Sequence, residues 1–397
     1  MPASPNPRHR VAVTAIGLVT PLGGNVTENA AALRSGRDAV TPVTSFKVSR
    51  CRAKTAGQVS GSWSFPGAKA EWHRASHFTT AAMQEAQNGD PQFTPELAVI
   101  GTTSGGMSFG ERFHRAQIDR RRPAERAGWL ANYMPQKAVL DGLDVCGWSA
   151  PMQIIANACA SGTNAVGHAF QLIRAGMQRS VLCGGYDAIS ELVYVGFDAL
   201  QAATPEKVRP FDRGRSGLVL GEGAAMLALE EWESANGRGA PILGEVTGYG
   251  IATDNHHLTQ PHPSGVGPRL AMERALADAQ CPATWIDYIN AHGTATTFND
   301  ATEGTAIAQL FGSAVPVSST KSMMGHALGA AGAIEAVFAL IAIREQFLPP
   351  NLNYQEADPA WELAIVANES RKAKVRRVMS NSFGFGGTNA SIILQAA

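Results

Sequence analysis

Val13-Thr14-Ala15-Ile16-Gly17-Leu18-Val19-Thr20 returns, altered but recognisable, as Val246-Thr247-Gly248-Tyr249-Gly250-Ile251-Ala252-Thr253. A second echo closes each repeat. Leu220-Gly221-Glu222-Gly223-Ala224-Ala225-Met226-Leu227-Ala228-Leu229 returns as Phe385-Gly386-Gly387-Thr388-Asn389-Ala390-Ser391-Ile392-Ile393-Leu394. Each echo reads as a strand, so the chain divides into two halves that open and close alike, expected at 1–245 and 246–397. The opening strands stand 233 residues apart and the closing strands 165, which leaves 68 extra residues inside the first half. An excess of that size commonly builds a cap, a lid or a partner surface.

Helical periodicity follows the same duplication. Val166, Ala169, Phe170 and Ile173 keep the i, i+3, i+4, i+7 spacing of a helix face, and Ile334, Val337, Phe338 and Ile341 keep it in the second half. Short apolar runs at Leu97–Ile100, Val181–Cys183, Ile286–Ile289 and Val315–Val317 alternate with such helices, the pattern of buried strands in an α/β fold. Between the halves, Asn236-Gly237-Arg238-Gly239-Ala240-Pro241 is a turn and no low-complexity linker. The halves are expected to form one compact unit.

Composition narrows the function classes. Lys plus Arg and Asp plus Glu both number 33, so the formal net charge is zero and neither a nucleic-acid footprint nor a polybasic membrane anchor is indicated. Cys51, Cys146, Cys159, Cys183 and Cys281 are scattered without metal-ligand spacing, as in a reduced, cytoplasmic protein. Met1–Arg10 is polar and Pro-rich, with no apolar leader, and no uninterrupted apolar run is long enough to span a membrane.

Four stretches carry reactive side chains. Ala156-Asn157-Ala158-Cys159-Ala160-Ser161-Gly162-Thr163-Asn164 joins an apolar stretch to the first amphipathic helix. A thiol at a helix start is favoured as thiolate by unpaired amide hydrogens and the positive end of the helix dipole. His292, in Asn290-Ala291-His292-Gly293-Thr294-Ala295-Thr296, follows a strand, where α/β folds place ligands. Ser319-Thr320-Lys321-Ser322-Met323-Met324-Gly325-His326 precedes the second-half helix, and shifting Cys159 by the repeat offset lands beside His326. Asn381-Ser382-Phe383-Gly384-Phe385-Gly386-Gly387-Thr388-Asn389 is a glycine-rich loop before the last strand. Taken singly, each has a plain alternative: a core cysteine, a structural histidine, a surface lysine, a turn. His256, His257 and His262 suggest a metal site only weakly, because no carboxylate or thiolate cluster accompanies them at ligand spacing.

Together these motifs resemble the β-ketoacyl-acyl-carrier-protein synthases of the thiolase superfamily, from about Val11 to Leu394. The resemblance rests on the Ala-Cys-Ala-Ser-Gly, His-Gly-Thr-Ala-Thr, Lys-x4-His and Gly-Phe-Gly-Gly-Thr-Asn loops. It implies a thiolase-like fold of two pseudo-repeated halves in α-β-α-β-α layers. It also implies an elongating Cys-His-His enzyme: a thiolase would carry a second cysteine in the loop that reads Phe385-Gly386-Gly387, an initiating synthase an asparagine in place of His326, and a chain-length factor no Cys159.

By the same resemblance, Cys159 takes an acyl group from acyl-carrier protein while the backbone amides of Cys159 and Phe385 form an oxyanion hole. His292 and His326 bind the malonyl thioester oxygen as decarboxylation creates an enolate. Lys321 orders His326, with Glu335 and Asp300 behind the histidines. Thr294 and Thr296 touch the phosphopantetheine arm, Thr259 lies near the malonyl pocket, and Phe385 gates the acyl pocket. Ser104 corresponds to a bulkier pocket-floor residue in fatty-acid enzymes, which suggests room for a longer or less saturated chain. Gln201, after the aromatic Phe197, replaces a basic carrier-docking residue. That leaves Arg120, Arg121, Arg122, Lys69, Lys207 and Arg209 as docking candidates for an acidic carrier. No permanently bound cofactor or metal is implied beyond the carrier's phosphopantetheine arm. A homodimer, or a heterodimer with a chain-length-factor-like subunit, is expected, in a fatty-acid, polyketide or polyene pathway. A non-catalytic partner chain and a decarboxylase that discards its enolate are the alternatives.

Overall fold

The computed structural model describes residues 8–66, 72–118 and 127–397. Its first half runs β1 (Val11–Val19), α1 (Val26–Ser35), the ribbon β2 (Val40–Pro42) and β3 (Thr55–Gly57), α2 (Arg74–Gly89) and β4 (Leu97–Gly101). It continues through α3 (Met107–Ile118), α4 (Ala127–Tyr133), α5 (Gln136–Cys146), β5 (Met152–Ile155), α6 (Ser161–Arg174), β6 (Ser180–Asp187), α7 (Glu191–Ala199), β7 (Gly223–Glu231) and the short α8 (Trp232–Gly237). The second half runs β8 (Gly244–Thr253), α9 (Val266–Asp278), β9 (Tyr288–Asn290), α10 (Thr297–Phe311), β10 (Pro316–Ser318), α11 (Lys321–Met324) and α12 (Ala331–Glu345). It ends with β11 (Phe347–Leu348), β12 (Ala364–Ile365), β13 (Arg371–Lys372), β14 (Arg377–Gly384) and β15 (Thr388–Gln395).

Strand order makes the repeat explicit. The first half orders its strands β5-β4-β6-β7-β1 and the second β10-β9-β14-β15-β8, with β12 added outside β10. Counted within each half, both orders are 3-2-4-5-1. The pairing senses agree as well: β4 is parallel to β5 and β6 and β6 antiparallel to β7, just as β9 is parallel to β10 and β14 and β14 antiparallel to β15. The echoed opening strands meet in antiparallel fashion at Val11↔Val246, Ala12↔Glu245 and Val13↔Gly244, which joins the two sheets edge to edge. Burial along the whole of β1 explains why its sequence is apolar except for Thr14, whose hydroxyl donates to Glu230 at 2.8 Å, and does not alternate.

Helices α6 and α12 contact one another and strands of both halves, so they form the middle layer. Outer layers of α2 with α5, and of α9 with α10, complete the α-β-α-β-α stack. The apolar spacing in α6 marks its buried face, as expected. Helix α12 departs from the amphipathic expectation: every residue from Ala331 to Ile343 is buried, because protein surrounds it on all sides. The two helices approach closely at Gly162, where a Cβ atom would stand 2.7 Å from the Ala333 nitrogen. The first half's excess falls in three places. Helix α1 and the β2–β3 ribbon precede α2 between β1 and β4, where the second half has α9 between β8 and β9. Helices α3–α5 lie between β4 and β5, where the second half has α10 alone, and α7 with its flanking loops lies between β6 and β7, where the second half has only the turn Phe385–Gly387.

Candidate active site

Three loops at the inner ends of the strands converge on one cavity lined by Cys159, His292 and His326. Each loop holds a non-glycine residue in the left-handed region: Ala158 at φ 57°, Ala295 at φ 66° and Leu328 at φ 51°. Such conformations cost free energy and persist only where surrounding bonds enforce them. Around Cys159, Ser161 Oγ donates to the Ala158 carbonyl at 2.6 Å and accepts the Asn157 N–H at 2.9 Å. The His326 backbone is held by the segment before β7, its N–H donating to the Val219 carbonyl at 2.7 Å and its carbonyl accepting the Gly221 N–H at 2.8 Å.

Cys159 is almost wholly buried, and its sulfur accepts hydrogen bonds from the backbone N–H groups of Phe385 and of Cys159 itself. The Phe385 amide comes that close because residue 384 is glycine; a Cβ there would stand 3.1 Å from the Cys159 nitrogen and 2.7 Å from Thr388 Oγ1. The expectation of a resting thiolate is overturned. Burial pushes the thiol up to about 11, and the Lys321 charge with the two N–H groups offsets only part of that. At neutral pH the residue is a thiol, so its proton must leave during attack. Alkylation of Cys159 by iodoacetamide should therefore keep accelerating with pH beyond 9; a plateau below pH 8 would contradict this environment.

The imidazoles of His292 and His326 stand edge to face, with ring centroids 5.2 Å apart. Burial and the Lys321 ammonium hold both well below their usual range, helped at His292 by its histidine neighbour. Both rings are therefore neutral at neutral pH, and each carries one N–H. His326 has no partner on either nitrogen and His292 none on Nδ1. Buried polar atoms are ordinarily hydrogen-bonded, so this shortfall marks a place where a polar ligand fits.

Lys321 forms a buried ion pair with Glu335. It thus touches Glu335 and acts on the histidines through its charge. Asp300 accepts the backbone N–H groups of Phe211 at 2.7 Å and Ala295 at 3.1 Å, which fixes the strained turn after His292. Thr294 and Thr296 line the cavity with their hydroxyls 2.9 Å apart, and Thr259 lines it from another loop. Phe197 stacks on Phe385, centroids 5.6 Å apart and planes 20° from parallel. Gly386 and Gly387, both near φ 80°, follow Phe385 in a conformation that side chains resist.

Ser104 does not line this cavity, although its neighbour Thr103 donates its hydroxyl to the Ala158 carbonyl beside Cys159 at 3.3 Å. Ser104 itself is buried, its N–H donates to Asp187 at 2.7 Å, and its Oγ has no partner. Lys207 pairs with Asp38 and Arg209 with Glu206, so neither is a free cation. Lys69, Arg120, Arg121 and Arg122 lie outside the described residues. His256 and His262 meet edge to face with ring centroids 4.9 Å apart, and His257 Nδ1 accepts the Thr259 N–H at 3.1 Å; among the described residues no three His, Cys, Asp or Glu side chains group as a metal site. Among the described residues, too, no helix is long and apolar enough to cross a membrane.

Two buried carboxylates escape the sequence reading. Glu303 accepts the N–H groups of His292 at 2.8 Å and Gly293 at 2.7 Å, and burial pushes its carboxyl up to about 7. Its signal was one helical turn after Asp300 on α10. Asp187 accepts from Thr102, Thr103 and Ser104 and from Gly329, and so ties the Ser104 loop to the segment after His326. Its signal was a carboxylate closing the apolar run of β6.

Residues 8–102 and 79–235 match the family described as "Beta-ketoacyl synthase, N-terminal domain", and residues 243–355 match "Beta-ketoacyl synthase, C-terminal domain". A relative from Synechocystis, a 3-oxoacyl-[acyl-carrier-protein] synthase 2, is 37% identical over 97% of both chains. Among solved structures, the ishigamide ketosynthase/chain length factor superposes with a TM-score of 0.93 at 33% identity, covering 98% of this chain and 100% of that one. A type II PKS acyl-carrier protein in complex with its ketosynthase bound to the hexaketide matches at 0.89 and 28%, with the same coverage.

Proposed function

This chain belongs to the β-ketoacyl synthase family of acyltransferases, and from that we propose that it extends acyl chains by decarboxylative Claisen condensation on Cys159. The observation that carries the proposal is the cavity itself. Two amide N–H groups point at a buried thiol, and two neutral imidazoles with unpartnered ring nitrogens share its cavity.

In the first step the Cys159 sulfur attacks the thioester carbonyl of an acyl group on the carrier's phosphopantetheine arm. The Cys159 and Phe385 amides hold the oxyanion. The carrier sulfur leaves and takes up the proton that Cys159 lost. In the second step malonyl-carrier protein occupies the cavity. As its carboxylate departs as CO2, electrons move toward the thioester oxygen, which accepts hydrogen bonds from His292 and His326. A carboxylate in either place would repel that charge. The enolate carbon attacks the acyl-cysteine carbonyl, the cysteine sulfur leaves and is reprotonated, and a 3-oxoacyl carrier departs.

Residues 1–245 supply the nucleophile and the insertions, and 246–397 both histidines and the Phe385 amide. Thr294 and Thr296 hold the arm, Thr259 borders the malonyl group, and the Phe385–Phe197 stack gates the acyl pocket. Lys321 keeps the histidines neutral, and Glu335, Asp300 and Glu303 position it and the His292 loop. The protein works in the cytoplasm as a dimer, with an identical subunit or a chain-length factor. A purified sample given acyl- and malonyl-carrier protein should release a 3-oxoacyl carrier two carbons longer than its primer; malonyl consumption without extension would favour the decarboxylase alternative.

The pocket-floor role of Ser104 is separately testable. Its unpartnered hydroxyl is the small end of a loop that Asp187 anchors, so Ser104→Phe should shorten the longest acyl chain that loads onto Cys159. Intact-protein masses across primers of rising length would show it, and an unchanged length limit would contradict the role.

A further inference from the structure

One carboxylate joins the two halves beside the reaction centre. Asp187, at the end of β6, is fully buried, and both of its oxygens are engaged. Oδ1 accepts the Ser104 N–H at 2.7 Å and the Thr102 hydroxyl at 2.8 Å; Oδ2 accepts the Thr103 N–H at 2.9 Å and the Gly329 N–H at 2.7 Å. The first three donors belong to the first-half loop after β4, and Gly329 to the second-half turn that follows His326. Backbone N–H groups can only donate, so this site suits an acceptor-only carboxylate and resists an amide. Burial pushes the carboxyl up to about 6 while the four donors pull it down, which leaves it ionised at neutral pH.

Each end of this bridge leads to a reacting side chain. On the first-half side, Thr103 gives its hydroxyl to the Ala158 carbonyl at 3.3 Å, the carbonyl of the strained residue just before Cys159. On the second-half side, Gly329 lies three residues after His326, in a turn where Leu328 holds φ 51°. The two sides approach closely because residue 329 is glycine; a Cβ there would stand 2.6 Å from the Thr103 nitrogen and 2.8 Å from Asp187 Oδ2. Burial is the main cause that pushes the Cys159 thiol up, and the Asp187 charge adds to it, so the carboxylate is felt at the sulfur.

We propose that Asp187 is a positioning residue for condensation, holding the Cys159 loop of the first half in register with the His326 turn of the second. This rests on the reading of the protein as a condensing enzyme. Acyl transfer needs the thiol and its two amides, and decarboxylation needs the imidazoles. Only carbon–carbon bond formation needs the acyl-cysteine and the enolate placed against each other. That step demands reacting atoms about 3–3.5 Å apart, and a misplacement of about 1 Å can slow it about 10²-fold. A loosened bridge therefore leaves both half-reactions running and spoils their meeting. The enolate then takes a proton from water instead of attacking, and acetyl-carrier protein leaves in place of a 3-oxoacyl carrier.

Asp187→Asn keeps the size of the side chain but turns an NH2 group toward backbone N–H groups that cannot accept from it. Given acyl- and malonyl-carrier protein together, the unaltered protein should release one CO2 for each 3-oxoacyl carrier formed. In the variant that ratio should rise about tenfold or more, with acetyl-carrier protein as the other product, while Cys159 still loads its acyl group. A purely structural role predicts otherwise: loading, CO2 release and extension would fall together with the ratio still at one, and that result would overturn the proposal. Where the Asn variant does not fold, Thr103→Val decides in its place, because Thr103 is exposed and gives up only its hydroxyl. A raised ratio there supports the bridge, and a ratio of one overturns it. If the unaltered protein loads no acyl group and forms no 3-oxoacyl carrier, the condensing reading itself fails and the positioning role falls with it.

Discussion

Cys159→Ala should abolish chain extension while leaving malonyl-carrier-protein decarboxylation in place. The sulfur is the atom on which the growing chain is carried, and no other thiol lines the cavity. Cys183 is fully buried in β6 and Cys146 closes α5, so neither can take over. Decarboxylation draws on a different set of groups, His292 and His326, whose backbones are held by Glu303 and by the 219–221 segment. Quantifying CO2 release and product chain length in the same reaction separates the two activities. Residual extension would contradict the nucleophile assignment, and loss of both activities with the fold intact would mean the sites are not separable.

The second large effect belongs to the histidines. His292→Ala or His326→Ala each removes one donor to the developing enolate, and a donor of that kind is worth about 10²–10³-fold in rate. Decarboxylation should fall by that order in either variant, with acyl loading of Cys159 much less affected. The pH dependence follows from the direction of the shifts. Both imidazoles titrate well below 6.5, so they stay neutral down through pH 6.5 and the acid limb of decarboxylation should lie below that value. Normal decarboxylation in both variants would refute the role, and an acid limb at or above 6.5 would show that the site does not hold the rings neutral.

The echoed strands show how far this fold was legible in the chain. The runs at Val13 and Val246 became β1 and β8, and those near Leu220 and Phe385 became β7 and β15, in corresponding places of two sheets with one strand order. Strand neighbours are a consequence of long-range pairing, so the meeting of β1 with β8 at only three residues was not visible locally. Cys159, His292, His326, Lys321 and the Phe385 loop were found because their residue types and order are distinctive. Glu303 and Asp187 were missed because a carboxylate that accepts backbone N–H groups from distant loops needs no particular sequence neighbours. The thiolate expectation failed for a physical reason: the loop that aims two N–H groups at the sulfur also removes it from water, and the desolvation is the larger effect. Ser104 is placed by a resemblance that concerns the acyl pocket; it does not line the cavity at the thiol, but its loop meets the nucleophile loop where Thr103 Oγ1 donates to the Ala158 carbonyl at 3.3 Å.

Mass spectrometry of the intact protein tests the central claim most directly. After incubation with acyl-carrier protein, the account predicts one acyl adduct, mapped to Cys159, which disappears on adding malonyl-carrier protein as a 3-oxoacyl carrier two carbons longer appears. No adduct, or an adduct on another residue, would contradict it.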